Sequence, residues 1–144
     1  MIEQDTVRLL RECDAGVKMG VESINEVIDY TSNQEMRDSL RDSKNIHIGL
    51  QEEIDRELMR FGDEGKNPNP IATGMAKVKT ETMLIFNESD NTIADLMTDG
   101  CDMGVKSLNK YLNKYKAADE RSKDIAKRLI GAEEQLRADM QAFL

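Results

Sequence analysis

The chain has 144 residues, of which 33% are charged and 39% apolar, and its net charge is −8. This length fits a single domain, 1–144, with a sizeable core, and the low aromatic content (4%, no Trp) favours long helices over a β-sandwich. The negative charge argues against nucleic acid and against an anionic membrane surface as partners.

The chain carries no sign of export or of membrane insertion. No apolar run approaches the ~20 residues that a membrane span needs. The opening residues, MIEQDTVRLL, lack the basic start and the apolar stretch of a signal peptide. We therefore expect a cytoplasmic location, with both cysteines reduced.

Apolar residues at spacings of three and four predict a first helical hairpin over about 4–62. Its helices cover about 4–30 and 34–62, and either Ser32 or Asn33 can serve as the N-cap of the second one. A second hairpin follows over about 91–144. Its helices cover about 91–116, with Ser89 or Asp90 as the N-cap, and about 119–143.

A long crossover over about 63–90 joins the two hairpins. It begins with the turn-rich segment GDEGKNPNP and continues with a predicted short helix over about 72–86. The second predicted helix has about 28 residues and is therefore about 42 Å long at ~1.5 Å per residue. Since a connection of this length can return over that distance, we expect the second and the fourth predicted helices to run parallel, as in bundles with one long crossover.

The second hairpin repeats the first. The segment GVKMGVESINEVI at 16–28 returns as GCDMGVKSLNKYL at 100–112, and GLQEEIDRELMRF at 49–61 returns as GAEEQLRADMQAF at 131–143. An ordered repeat of this kind indicates two hairpins, each unable to bury its apolar face alone. The sequence therefore predicts an all-α four-helix bundle made of two duplicated helical hairpins.

Two duplicated hairpins with a long crossover resemble the ferritin-like superfamily, most closely its small bacterial four-helix members of unassigned function. This resemblance implies a place for a di-metal centre, with one Glu on each of two helices and Glu-x-x-His on each of the other two. Lys44 stands three residues before His47, at the position where that motif needs a carboxylate. In the second hairpin, the residues equivalent to Lys44 and His47 are Ala126 and Leu129. We therefore expect no intact di-metal site and no cofactor.

His47, the only histidine, lies on the apolar stripe of its helix, and Asp14 is in phase with the stripe of the first helix. We predict a hydrogen-bonded Asp14–His47 pair, because buried polar groups need partners. Two alternatives are an exposed His47 at the bundle edge and a residual mononuclear metal site around the two residues. Cys13 and Cys101 are expected to be small buried hydrophobes, with a redox-linked pair as the alternative.

Two glycines four residues apart recur in both hairpins, as Gly16/Gly20 and Gly100/Gly104. Each glycine inside a helix costs about 1 kcal/mol relative to alanine, so a structural reason is required. We expect close packing of the two helices that carry them. The alternative is a ligand cavity at the middle of the bundle.

These observations favour a non-catalytic binding or assembly module that forms a homo-oligomer, with a dimer favoured and the partner or ligand unnamed. No catalytic constellation is present in the sequence. One alternative is a metal-binding or oxidoreductase-type protein with a degenerate site around Asp14 and His47. Another is a helical sensor that binds a small molecule between the glycine-bearing helices.

Overall fold

The computed structural model describes residues 2–70, 74, 77, 79–81, 83, 84 and 89–144. Within them lie four long helices: α1 (Ile2–Ile28), α2 (Gln34–Arg60), α3 (Asp90–Lys114) and α4 (Glu120–Gln141). No strand occurs in the described residues. The predicted all-α fold is confirmed, and every helix end lies within two residues of its predicted position.

The N-caps explain where three of the helices begin. The side chain of Asn33 accepts a hydrogen bond from the backbone N–H of Met36 (3.0 Å), and Ser89 accepts one from Thr92 (3.2 Å). Each cap satisfies a backbone donor that has no partner within its helix. Asn33 and Ser89 were among the predicted caps, and Asp119 caps α4 in the same way.

Hydrogen bonds between the hairpins fix the direction of α3. At one end of the bundle, the Asp90 carboxylate accepts from the backbone N–H groups of Ser32 (2.8 Å) and Asn33 (3.0 Å). At the other end, the backbone N–H of Asp119 donates to the Thr6 hydroxyl (2.8 Å). Thus α3 begins where α1 ends, runs antiparallel to α1 and is parallel to α2. The chain between α2 and α3 therefore returns over the length of the bundle, as predicted.

The predicted crossover helix, about 72–86, lies partly outside the described residues. Those of its residues that the structure describes, 74, 77, 79–81, 83 and 84, are helical. An ion pair from Lys79 to Asp99 (3.8 Å) places this part of the crossover beside α3.

The apolar core consists of two clusters. The first, around Leu9, Ile54 and Leu129, fills the end of the bundle near Thr6. The second, around Ile24, Leu40 and Met140, fills the opposite end. A short layer of polar side chains at mid-height, which includes the buried His47 and Glu133, separates the two clusters.

The cysteines belong to different clusters. Cys13 lies in the first and Cys101 in the second, both are buried, and both are free thiols. The prediction of small buried hydrophobes is confirmed for both. The alternative of a linked pair is wrong, because the two thiols belong to clusters at opposite ends of the bundle and neither is bonded to the other.

Candidate functional site: an imidazole–carboxylate pair below a glycine-lined cleft

The mid-height layer contains a buried pair formed by His47 on α2 and Glu133 on α4. His47 Nε2 lies 2.8 Å from Glu133 Oε1, and His47 is fully buried. On the other side of the ring, Nδ1 lies 2.7 Å from the backbone carbonyl oxygen of Ser43. Both ring nitrogens are therefore engaged, and neither points to solvent.

This geometry determines where the protons are. A carbonyl oxygen only accepts, so Nδ1 carries a hydrogen and donates it to Ser43. One further proton lies between Nε2 and Glu133, either as imidazolium beside carboxylate or as neutral imidazole beside a carboxyl group. Burial opposes the charged ring, but the hydrogen bond with Glu133 and the charge of its carboxylate outweigh it and raise the pKa of His47. The pair therefore favours the doubly protonated ring more strongly than solvent favours it for a free imidazole.

Gly20 and Gly104 make room for this pair. A Cβ atom at position 20 would lie 2.8 Å from Cδ2 and 2.9 Å from Nε2 of His47. A Cβ atom at position 104 would lie 3.4 Å from the Glu133 carboxyl group. Since carbon atoms normally approach to about 3.5–4.0 Å, any side chain at position 20 would push the imidazole away from its partner.

The predicted close packing of the two glycine-bearing helices is wrong. A Cβ atom at Gly16 would first meet Leu129 of α4, at 3.9 Å, and one at Gly100 would meet nothing within 4 Å. In neither helix would the added atom first meet the other helix. The glycines instead leave space between α1 and α3.

That space is a cleft of about 550 Å³, which we call the α1–α3 cleft. Its sides include Gly16, Gly20, Ser23, Met97, Gly100, Gly104 and Ser107, and His47 with Glu133 forms its floor. The volume lies within the ~300–1,000 Å³ typical of small-molecule sites, and the lining combines apolar surface with a few polar groups.

Two described residues of the crossover, Lys66 and Lys79, border the cleft. Lys66 Nζ forms an ion pair with Glu12 of α1 (2.6 Å), and Lys79 Nζ forms one with Asp99 of α3 (3.8 Å). All four residues line the cleft. The crossover is therefore tied to both of the helices that enclose this space.

Cys101 extends the polar floor. Burial, followed by the charge of Glu133 and a hydrogen bond to it, raises the pKa of the Cys101 thiol well above its usual range. The thiol thus stays protonated and donates to the Glu133 carboxyl group. It is not activated as a nucleophile, because the reactive form of cysteine is the thiolate.

The predicted Asp14–His47 pair is wrong. Asp14 is buried, but its carboxylate accepts hydrogen bonds from Lys18 Nζ (2.8 Å), Gln51 Nε2 (2.5 Å) and the backbone N–H of Lys66 (2.9 Å). The hairpin register brings Asp14 opposite Gln51 and Gly20 opposite His47. Asp14 therefore lies more than one helical turn from the imidazole, and it holds the start of the crossover against α1.

Among the described residues, no three histidine, cysteine, aspartate or glutamate side chains are grouped so that they could hold a metal ion. The two candidate ligands of the sequence, Asp14 and His47, lie in separate hydrogen-bond networks. No described helix contains a stretch long and apolar enough to cross a membrane.

Glu133 belongs to the candidate site but was not predicted from the sequence. It stands four residues after Leu129 and three before Leu136, which places it on the buried stripe of α4. The repeat does not mark it, because its counterpart in the first hairpin is Gln51, whereas the neighbouring Glu134 matches Glu52. The phase of the helix was the signal that could have identified Glu133.

Comparisons of the chain with protein-family models, with curated proteins and with solved structures found no match.

Proposed function

We propose that this chain is a non-catalytic four-helix bundle that binds a small, largely apolar molecule in the α1–α3 cleft. The observation that carries the proposal is the space left by Gly16, Gly100 and Gly104 above the His47–Glu133 floor. Glycines inside helices are costly, and here they line a volume suited to a ligand. A few polar groups on an otherwise apolar surface would orient that ligand.

We also propose that the bundle is ferritin-like and arose by duplication of one hairpin. The repeated sequence segments and the crossover that returns over the length of the bundle support this assignment. The mid-height positions of α1 and α3 that face the histidine-bearing layer are Gly20 and Gly104, which have no side chain to offer a metal. The proposal is therefore a ferritin-like scaffold whose mid-bundle space serves a ligand instead of a di-metal centre.

We further propose that the protein is cytoplasmic and that it forms a homo-oligomer, with a dimer favoured. Exposed apolar side chains on α2 support assembly contacts: Ile46 is 49% exposed and Met59 76%. Light scattering on the purified chain measures the oligomeric order directly.

The ligand-binding proposal is tested with N-phenyl-1-naphthylamine, a neutral dye that brightens in apolar surroundings. We expect saturable binding to the native protein. Gly100→Leu is expected to abolish it, because the new side chain would enter space where nothing lies within 4 Å. Gly49→Leu is the matched control, since Gly49 is also a helical glycine with no neighbour within 4 Å and lies outside the cleft.

Two results would contradict the proposal. One is a dye signal that is equal in wild type and Gly100→Leu, which would place the dye elsewhere on the protein. The other is tight, stoichiometric binding of iron, manganese or zinc in calorimetry, which would favour the alternative of a metal-binding protein with a degenerate site.

A further inference from the structure

We propose that the α1–α3 cleft takes an uncharged single-chain lipid, which lies along the bundle axis with its hydroxyl end beside Glu12 and its alkyl tail towards Val27. This inference rests on the proposed function and names the chemical class of the ligand and its direction in the cleft. It is carried by the length of the cleft, by the pairing of its polar groups and by the difference between its two ends.

The cleft is long and narrow. Its lining extends from Glu12 to Val27 on α1 and from Leu96 to Tyr111 on α3. Each of these stretches is about 22 Å long at ~1.5 Å per residue. The cleft volume of about 550 Å³ then corresponds to a mean cross-section of about 25 Å². One extended alkyl chain fits such a section, whereas a ring skeleton needs more width.

The length and the volume of the cleft suit the same size of chain. An extended chain advances about 1.2 Å per single bond, because a residue with three backbone bonds spans ~3.3–3.6 Å. The length of the cleft therefore holds roughly 18 bonds. A methylene group takes about the same volume as a water molecule, ~30 Å³, so the volume also holds roughly 18 groups.

The polar groups on the floor of the cleft are already paired. The two nitrogens of His47 are engaged by Ser43 and Glu133, and the Cys101 thiol is hydrogen-bonded to the same carboxyl group. In the described part of the chain, no buried side-chain nitrogen or oxygen atom lacks a hydrogen-bond partner. A polar group of a ligand placed over this floor would lose its water and gain no unpaired partner, which is unfavourable. The part of the ligand that lies over the floor is therefore hydrocarbon.

The two ends of the cleft differ in polarity. At one end, Lys66 Nζ binds the Glu12 carboxylate at 2.6 Å, and the Glu12 side chain is only 15% exposed. Tyr111 lies beside them: burial, followed by the charge of Glu12 and a hydrogen bond to it, raises the pKa of its hydroxyl. At the other end, the lining includes the aliphatic side chains of Val27 and Leu96. The polar end of the ligand is thus expected beside Glu12 and its tail beside Val27.

The charges along the cleft favour an uncharged polar end. A carboxylate drawn to Lys66 would lie next to Glu12, and an ammonium group drawn to Glu12 would lie next to Lys66. Either ion would also lose water on entry. The other pair at the rim, Lys79 with Asp99, is likewise balanced, and its side chains are 59% and 60% exposed. A hydroxyl group both donates and accepts, so it suits a site that presents a paired donor and acceptor.

The first test compares four compounds of eight carbon atoms by titration calorimetry on the full chain: 1-octanol, cyclooctanol, octylamine and octanoate. We expect 1-octanol to bind about tenfold or more tightly than each of the other three, because the ring is too wide and the ions are poorly accommodated. We also expect 1-decanol to bind about fifteenfold more tightly than 1-octanol. Each added methylene contributes roughly a factor of four by hydrophobic transfer.

The second test determines the direction of the ligand with two variants. An octanol molecule beside Glu12 extends about 10 Å along the cleft. It therefore passes the level of Gly16, about 6 Å away, and ends before the level of Gly100, about 16 Å away. Gly16→Leu is expected to raise the Kd of octanol about tenfold or more, and Gly100→Leu to leave it within about twofold. The wider two-ring dye probes the space at Gly100 itself.

Thermal unfolding by circular dichroism verifies that both variants are folded. The comparison of four compounds uses wild type alone, so it remains decisive if Gly16→Leu fails to fold.

The outcomes separate the two proposals. If the dye binds but cyclooctanol, octylamine or octanoate binds as tightly as 1-octanol, the lipid inference is wrong and the ligand cleft stands. If Gly100→Leu weakens octanol binding and Gly16→Leu does not, the inferred direction is wrong. If neither the dye nor any alcohol binds wild type, the proposed function itself is wrong.

Discussion

Replacing Gly20 with alanine tests the geometry of the mid-height layer. The substitution raises helix propensity by about 1 kcal/mol. It also places a methyl group 2.8 Å from Cδ2 and 2.9 Å from Nε2 of the His47 ring. Overpacking of a filled interior typically costs about 1–3 kcal/mol. The imidazole cannot move aside freely, because Ser43 and Glu133 hold its two nitrogens.

The matched substitution Gly100→Ala has the same propensity gain without a clash, because its Cβ would meet nothing within 4 Å. The propensity gain cancels between the two variants. Their difference in the free energy of unfolding therefore isolates the clash, and we expect Gly20→Ala to be less stable than Gly100→Ala by about 1–3 kcal/mol. For a domain of this size that corresponds to roughly 3–9 °C in Tm. Gly104→Ala, with its nearest contact at 3.4 Å, is expected to fall between them.

Urea unfolding followed by circular dichroism measures all three variants against wild type. If Gly20→Ala and Gly100→Ala gain stability equally, the His47 ring does not lie against Gly20 and the arrangement of the site described above is wrong. A loss of stability in all three variants would instead indicate that the helices pack closely at every one of these glycines.

Three further predictions concern other parts of the molecule. Because the folded pKa of His47 is raised above its ordinary value of 6.5, the stabilisation that the protonated ring provides is complete below about pH 6.5. It is lost as the pH rises through the folded pKa, so the difference in unfolding free energy between wild type and His47→Gln should shrink towards high pH; a constant difference would contradict this. Burial raises the pKa of Cys13 to about 12 and also raises that of Cys101. Both thiols should react with Ellman's reagent only after unfolding, and a fast reaction in native protein would show that a thiol is accessible. Asn33→Ala removes the N-cap of α2 and is expected to lower stability by about 1 kcal/mol in urea unfolding, whereas the neighbouring Ser32→Ala should change it little.

The helices and their caps could be predicted because their signals are local. Apolar spacing of three and four residues marks a buried face, and a polar side chain such as Asn33 or Ser89 marks the first turn. The direction of α3 followed from the length of the crossover. These features depend on residues near one another in sequence, so a single amino-acid sequence is sufficient to identify them.

The candidate site could not be predicted in the same way, because it depends on register across the bundle. A shift of six residues, which is between one and two helical turns, decides whether Asp14 or Gly20 faces His47, and counting from the turn between the helices leaves that uncertainty. Glu133 comes from the other hairpin, 86 residues further along the chain. Its pairing with His47 depends on how the hairpins dock, and the apolar stripes alone allow more than one vertical offset.

The hydrogen bonds at the two ends of the bundle have a consequence for redesign. Asp90 fastens α3 to the loop before α2, and Thr6 fastens the start of α4 to α1, so the hairpins are aligned by directional bonds far from the middle. The His47–Glu133 bond of the central layer therefore shares the alignment with these end contacts and does not carry it alone. Substitutions there can change what the interior accommodates while the frame keeps its geometry. The bundle is therefore a promising host for engineered recognition, with its two ends left untouched as fixed supports.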